Sequence, residues 1–407
     1  MPRLLVSFCY TRPLGHAIAR LDTENGAFEW VDVSSVPAPV YGAAGLVRVD
    51  MRYYAALQVK FGEALGTYLV ELDEQARVTR AAPLPHIYDA HSMIAHGDEL
   101  LLVGSGTNQV FALSWPDGGP PASRVYYEQA PGIDTLHMNS LQVFDGRVYL
   151  SMFGPRPDAE WHHADEGQIL DLNAGGAVVA RGLRHPHSLT VVGDTLMCLD
   201  SRSGTMIHVA GDPRSSFARL PGYLRGACAV DGRLYVGASV TRKRSKSRGT
   251  ANAPPVSVPS PDAPAMQRVA APTAPGMLAS DGCGLHVIDA AATASTGVSM
   301  KHAVLDDACD WIDLSPFAPE LYDVIPWYGA PVHGSRPAAM EQRLRAVNDE
   351  FTDLVGAWRR MLLQRLHMRE LVREIDAARS DLPAVQRIAA LARETERFWS
   401  ADWPTAN

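Results

Sequence analysis

Cysteine is scarce in this chain. Five occur in 407 residues (Cys9, Cys198, Cys228, Cys283 and Cys309), none forms a Cys-x-x-Cys pair, and their number is odd. That pattern speaks against a disulfide framework and against a cysteine-rich zinc module. It fits reduced thiols and a cytoplasmic protein. No uninterrupted apolar run approaches about 18 residues, so no membrane-spanning helix is expected. The first ten residues meet Thr11, Arg12 and Pro13 without a small-residue cleavage pattern, and they read as a strand rather than a signal peptide. Basic residues are outnumbered, 37 Lys and Arg against 45 Asp and Glu, for a net charge of −8. A general nucleic-acid binder would show the opposite balance. No Gly-x-Ser-x-Gly elbow and no repeated Trp-Asp signature occur. Gly104-Ser-Gly106 lacks the strand–helix setting of a nucleotide-binding glycine loop.

What the chain does contain is a repeat. Segments starting at Ala90, Met138, Pro186 and Leu224 share a polar tripeptide, an alternating apolar strand, a turn with Gly or Asp-Gly, and a second apolar strand. A third strand follows in some copies, as at 108–113 and 204–209. A weaker copy begins at Gly42. Equivalent apolar positions Leu46, Met93, Leu141, Leu189 and Ala227 are separated by 47, 48, 48 and 38 residues. That spacing suits four-stranded blades, and it predicts an all-β fold, a six-bladed β-propeller, in preference to a β-sandwich with coincidental hairpins. Glu320 to Trp327 reads as a last inner strand with no hairpin of its own. Its missing partners are expected at the N-terminus, over 4–10 and 17–21, closing the ring.

After Val240 the pattern stops. A basic run over 241–248 leads into a stretch rich in Pro, Ala and Ser, read as a disordered insertion over about 241–280 within one blade. The strand resumes at Gly284. From about Ala338 the apolar period becomes helical, with Leu344, Val347, Phe351, Leu354, Val355, Trp358, Met361 and Leu362 on one stripe. Asp381-Leu382-Pro383 marks a second helix start. The expectation is a propeller over 1–335 and a C-terminal α-helical hairpin over 336–407. That tail would pack on the propeller or form a homodimer, with docking of another protein as the sharper alternative.

Inner strands line the axis of a propeller, so aligned positions converge on it. One level holds Ala44, His91, Asn139, His187, Arg225 and Tyr322. The next holds Ser92, Ser140, Ser188, Gly226 and Asp323. Two residues before the first level stand Asp89, His137 and His185. Such a set of imidazoles, carboxylates and one guanidinium suits a divalent transition metal at the channel mouth. The assignment is His91 and His187 as metal ligands, with His137 and His185 as further ligands or general bases. Arg225, Asn139, Tyr322 and Asp323 would bind a small anionic molecule. Trp161-His162-His163 lies in a long loop that reads as surface, with a lid over the mouth as the alternative.

The phrases His137-Met-Asn-Ser, His185-Pro-His-Ser, Tyr223-Leu-Arg-Gly and Glu320-Leu-Tyr-Asp-Val resemble a family of uncharacterised bacterial six-bladed propeller proteins, a domain of unknown function. That family is distantly similar to sugar-lactonase and NHL-type propellers. The resemblance covers residues 3 to 330 and supports fold more than activity. Lactonase-like relatives hold a divalent ion with Glu, Asn and Asp. Only Asn139 matches here, and imidazoles at His91 and His187 do not suit calcium. Metal-assisted hydrolase, lyase or oxidoreductase chemistry is the enzymatic expectation. A non-catalytic protein- or glycan-binding scaffold dimerised through the tail is its rival.

Overall fold

The computed structural model describes residues 2–9, 11, 14–61, 64–156, 161–209, 216–239, 282–289, 309–315 and 317–329. The chain divides into a unit Met1–Gly334 and a unit Ser335–Asn407. The expected helical hairpin and the expected disordered insertion both lie outside the described residues.

Among the described residues the first unit is all-β, with six four-stranded antiparallel sheets. Five are built from consecutive strands. They are β4 to β7 (Val40–Val49, Arg52–Phe61, Ala64–Leu72, Val78–Leu84) and β8 to β11 (Ala90–His96, Glu99–Gly104, Gln109–Ser114, Ala122–Glu128). Then come β12 to β15 (Met138–Phe144, Arg147–Met152, Gly167–Asp171, Ala177–Leu183) and β16 to β19 (Pro186–Val192, Thr195–Asp200, Thr205–His208, Ser216–Arg219). The fifth is β20 to β23 (Tyr223–Val230, Arg233–Ser239, Gly284–Asp289, Cys309–Asp313). In the sixth, the last strand β24 (Leu321–Trp327) pairs with β1 (Arg3–Phe8), which continues to β2 (Ile18–Asp22) and β3 (Phe28–Trp30). Leu4 faces Pro326 and Val6 faces Val324 in that closing pair. The ring therefore shuts as the sequence predicts. Each inner strand packs against the inner strands of both neighbouring blades, β24 against β4 included.

Period-two patterning explains why blades stack. Leu4, Val6 and Phe8 face one seam and Leu5 faces the other. Six large apolar clusters result, one per seam. The Asp-Gly turns at 145–146 and 231–232 have positive φ at both residues (48° and 70°, 50° and 72°), the geometry that matches strand twist in a two-residue hairpin.

Polar pegs join the same seams near the axis. Ser92 Oγ accepts from Leu141 N at 3.1 Å, Ser140 Oγ from Leu189 N at 3.0 Å, and Ser188 Oγ from Gly226 N at 2.7 Å. Asp323 Oδ2 accepts from Leu46 N at 2.9 Å. The two remaining seams have glycine at this position. A Cβ on Gly45 would lie 2.3 Å from His91 O, and one on Gly226 would lie 2.9 Å from Asp323 Cα. A bulge in each of the five inner strands β4, β8, β12, β16 and β20 sits at this level and turns the peg toward its neighbour. Ser140→Ala strands the Leu189 N–H and takes one partner, 2.7 Å away, from the Ser151 hydroxyl, which keeps Ser140 N and Pro186 O. A loss of about 1–3 kcal/mol is expected, read as a lower denaturant midpoint.

Candidate metal centre at the channel mouth

Three blades repeat one local device at the start of the inner strand. Asp89, His137 and His185 all adopt left-handed backbone, with φ of 49°, 48° and 59°. Their carbonyls accept equivalent bonds, from Ser105 N, Phe153 N and Ser201 N. A left-handed non-glycine residue is strained, and it persists here because the turn swings the chain into the inner strand. The device places these side chains over the axis, beside the level two residues later.

His91, His137 and Asp89 converge there. Their ligating atoms all lie within 4.8 Å of one another. The His91 and His137 rings meet edge to face at 4.9 Å, and Tyr322 closes the other side of His91 at 5.4 Å. Both imidazoles are nearly sealed from solvent. Carbonyl oxygens accept only, so the protons can be placed. His91 Nδ1 donates to Asp89 O at 2.9 Å, and His137 Nδ1 faces Asp134 Oδ2 at 3.0 Å. Each ring therefore keeps a bare Nε2. Asp134 also accepts from His137 N at 3.0 Å, so one carboxylate holds both the backbone and the ring of His137. Asp89 Oδ2 is buried with no hydrogen-bond partner. Burial holds His91 down at a pKa of about 4, against a partial opposing pull from Asp89, so the ring is neutral at pH 7.

His187 stands outside that group, so the structure brings His91 together with His137 and Asp89 instead. Its Nδ1 bonds His185 O at 2.9 Å and Ser201 Oγ at 2.8 Å, leaving Nε2 bare, buried and without a partner. Phe153 sits among the other rings, 4.5 Å from His137, 4.3 Å from His185 and 5.2 Å from His187. The His185 ring has no free nitrogen. Its Nε2 donates to Trp161 O at 2.8 Å and its Nδ1 accepts from the Tyr223 hydroxyl at 3.0 Å. Burial first, then Arg202, lowers its pKa to about 3. It is a clamp between the mouth and the loop, not a group free to exchange protons near neutrality.

In the loop, His163, Asp165 and Glu166 are exposed as the surface reading expects, and Trp161 departs from it. Trp161 is buried against His137 at 4.8 Å and forms a small cluster with Phe153 and Ala164. Its carbonyl accepts from His185, so it packs beside the channel-mouth histidines. Asn139 is buried with an unpartnered Nδ2, and Tyr322 with an unpartnered hydroxyl. Arg225 lies over the rings of Tyr223 and Tyr322 at 5.0 and 5.5 Å and faces Glu320 at 3.8 Å. Asp323 is committed elsewhere, because its two oxygens accept from Leu46 N and Val324 N, each at 2.9 Å. Sequence reading missed Asp134, Phe153 and Glu320. Asp134 had a local signal, an acid three residues before a candidate histidine.

The sequence profile of one family, described as Domain of unknown function (DUF4915), matches residues 74–325. The chain belongs to that family. Its match spans the inner strands β8, β12, β16 and β20 and nearly all of β24, so every candidate site residue from Asp89 to Asp323 falls inside it. Among curated proteins none matches the chain. Solved structures similar to it include the nidogen/laminin complex, at 12% identity and TM-score 0.48, covering 81% of this chain and all of that one. A protein of unknown function from Bacteroides caccae aligns at 9% identity and TM-score 0.46, over 80% of this chain and 99% of that one. A putative 6-phosphogluconolactonase from Bacteroides fragilis aligns at 11% and TM-score 0.41, over 71% and 77%. No helix among the described residues is long and apolar enough to cross a membrane.

Proposed function

We propose that the protein holds a divalent transition metal at the channel mouth through Asp89, His91 and His137, and uses it to act on a small anionic molecule. The observation that carries this reading is the convergence of the three ligating groups within 4.8 Å, with one Asp89 oxygen buried and unpartnered. Two imidazoles and a carboxylate suit zinc, iron, cobalt or manganese rather than calcium. Three protein ligands leave coordination positions for water or substrate, as a catalytic site requires. A metal there would polarise a bound oxygen, which serves hydrolysis, elimination or redox chemistry alike.

The surroundings support the same reading. Asp134 behind His137 is the carboxylate that orients a ligating imidazole and raises its basicity. Trp161 and Phe153 exclude water and lower the local dielectric, which strengthens charge interactions at the centre. Arg225 is steadied between two tyrosine rings, and an incoming carboxylate would compete with Glu320 for it.

Titrating chelator-treated protein with Co²⁺ tests this, because coordination by histidine and carboxylate gives visible absorption bands. Saturation near one equivalent is expected. Asp134→Asn should weaken the affinity about 10–100-fold while the bands remain, and His137→Ala should abolish them. A featureless spectrum with folded wild-type protein would remove the metal from the account.

A further inference from the structure

The outer strands of the fifth blade carry a second pair of metal-ligating side chains, and neither belongs to the channel mouth. In the pairing of β22 with β23, Ile288 lies opposite Cys309 and His286 opposite Trp311. His286 and Cys309 therefore stand diagonally on one face of the blade. His286 Nε2 lies 2.9 Å from Pro221 O. A carbonyl only accepts, so that nitrogen carries the proton and Nδ1 keeps its lone pair. Burial lowers the pKa of the ring and holds it neutral at pH 7. The lone pair faces Cys309 Sγ at 3.6 Å, and Trp311 packs on the ring at 4.7 Å.

His286 is only 6% exposed, and among the described residues the thiol is the one group bonded to its Nδ1. A thiol is a weak donor, so an imidazole nitrogen taken out of water gains little from it. Cys309 is also the one cysteine that is not fully buried. Burial pushes its pKa up, so the resting pair is a thiol and a neutral imidazole, not an ion pair.

The spacing fits a shared ion. In a tetrahedral zinc centre, bonds of about 2.3 Å to sulfur and about 2.1 Å to nitrogen put the two donor atoms about 3.6 Å apart. The pair has that separation already. A backbone carbonyl holding the far nitrogen is also the arrangement that orients a ligating histidine. Thiolate and imidazole together select zinc or copper over magnesium, calcium or manganese.

We propose that Cys309 Sγ and His286 Nδ1 form an exchangeable binding site for a thiophilic cation of the zinc class, with water in the remaining positions. The thiol proton passes to solvent as the sulfur–metal bond forms, and nothing is oxidised or reduced. A closed structural site would have four protein ligands. With two, against three at the channel mouth, this site holds its ion more weakly and empties on dialysis.

Cadmium titration of the dialysed full chain tests the proposal, because a cadmium–thiolate bond gives an ultraviolet charge-transfer band that histidine and carboxylate ligands do not. The band should saturate at one cadmium–thiolate per chain, in the wild type and equally in a His91→Ala/His137→Ala double variant, and added zinc should displace it. Cys309→Ser, a near-isosteric change at a half-buried position, should stay folded and lose the band. His286→Gln, whose amide can still donate to Pro221 O, should keep the band with affinity lowered about tenfold or more. A folded wild type without the band, a band retained in Cys309→Ser, or an unchanged affinity in His286→Gln would each overturn the site. Loss of the band in the double variant would also overturn it, by tying the signal to the channel mouth.

Discussion

Replacing Gly45 by Ala should destabilise the propeller by about 3 kcal/mol or more, a large fraction of the total for a domain. Two independent costs add. The residue sits at φ +63°, where a side chain is strained by about 1–2 kcal/mol. The new methyl would also fall 2.3 Å from His91 O and 2.7 Å from Met93 N. Both obstacles are backbone, so no side-chain rotation relieves them, and overpacking of this kind costs about 1–3 kcal/mol more. The strand that must retreat carries His91, so cobalt affinity should fall together with stability. Chemical denaturation and the cobalt titration check the two halves. A variant as stable as the parent would mean that the seam between β4 and β8 is looser than described.

Acid should weaken the metal-free protein progressively as pH falls below about 6.5. Burial lowers the pKa of His185 to about 3, of His187 well below its usual value, and of His286. A histidine whose folded pKa is depressed binds its proton only in the unfolded chain between the two values. Its stabilising effect is complete above about 6.5 and is lost as pH falls toward the folded value. Asp200 and Asp323 oppose this. Burial raises both to about 6, so they favour the folded state below their unfolded pKa, and that contribution disappears as pH rises through 6. With His91, lowered to about 4, four buried histidines against two aspartates leave up to about two net protons taken up on unfolding between pH 6 and 4. At about 1.4 kcal/mol per proton per pH unit, a loss of several kcal/mol is expected from pH 6.5 to 4. Denaturant midpoints measured across that range in chelator should fall steadily. A flat profile would show that water reaches these rings.

Much of the fold was legible because a propeller writes itself as a repeat. The spacing of Leu46, Met93, Leu141, Leu189 and Ala227 located five inner strands, and the unpaired Leu321–Trp327 segment required a partner from the N-terminus. The same alignment explains what was legible of the site. It brought Asp89, His91 and His137 to one end of the axis, since each inner strand begins at the same height. It could not say which nitrogen of each ring was free. His185 and His137 look equivalent in sequence, yet one is bonded through both nitrogens and the other through one. The difference is made by Tyr223 and the Trp161 carbonyl, which come from a distant strand and a loop. The serines of the second level join blades. Ser92, Ser140 and Ser188 spend their hydroxyls on the next blade, and Asp323 does the same with its carboxylate. Trp161 was misplaced because a long polar loop normally stays on the surface, whereas here a single indole folds back over His137.

The measurement that bears most directly on the metal centre is the metal content of the purified protein by plasma mass spectrometry, beside a His91→Ala/His137→Ala double variant and a His187→Ala variant. The account predicts a divalent transition metal near one equivalent in the wild type and in His187→Ala, and none in the double variant. Equal metal in all three, or loss caused by His187→Ala alone, would contradict it.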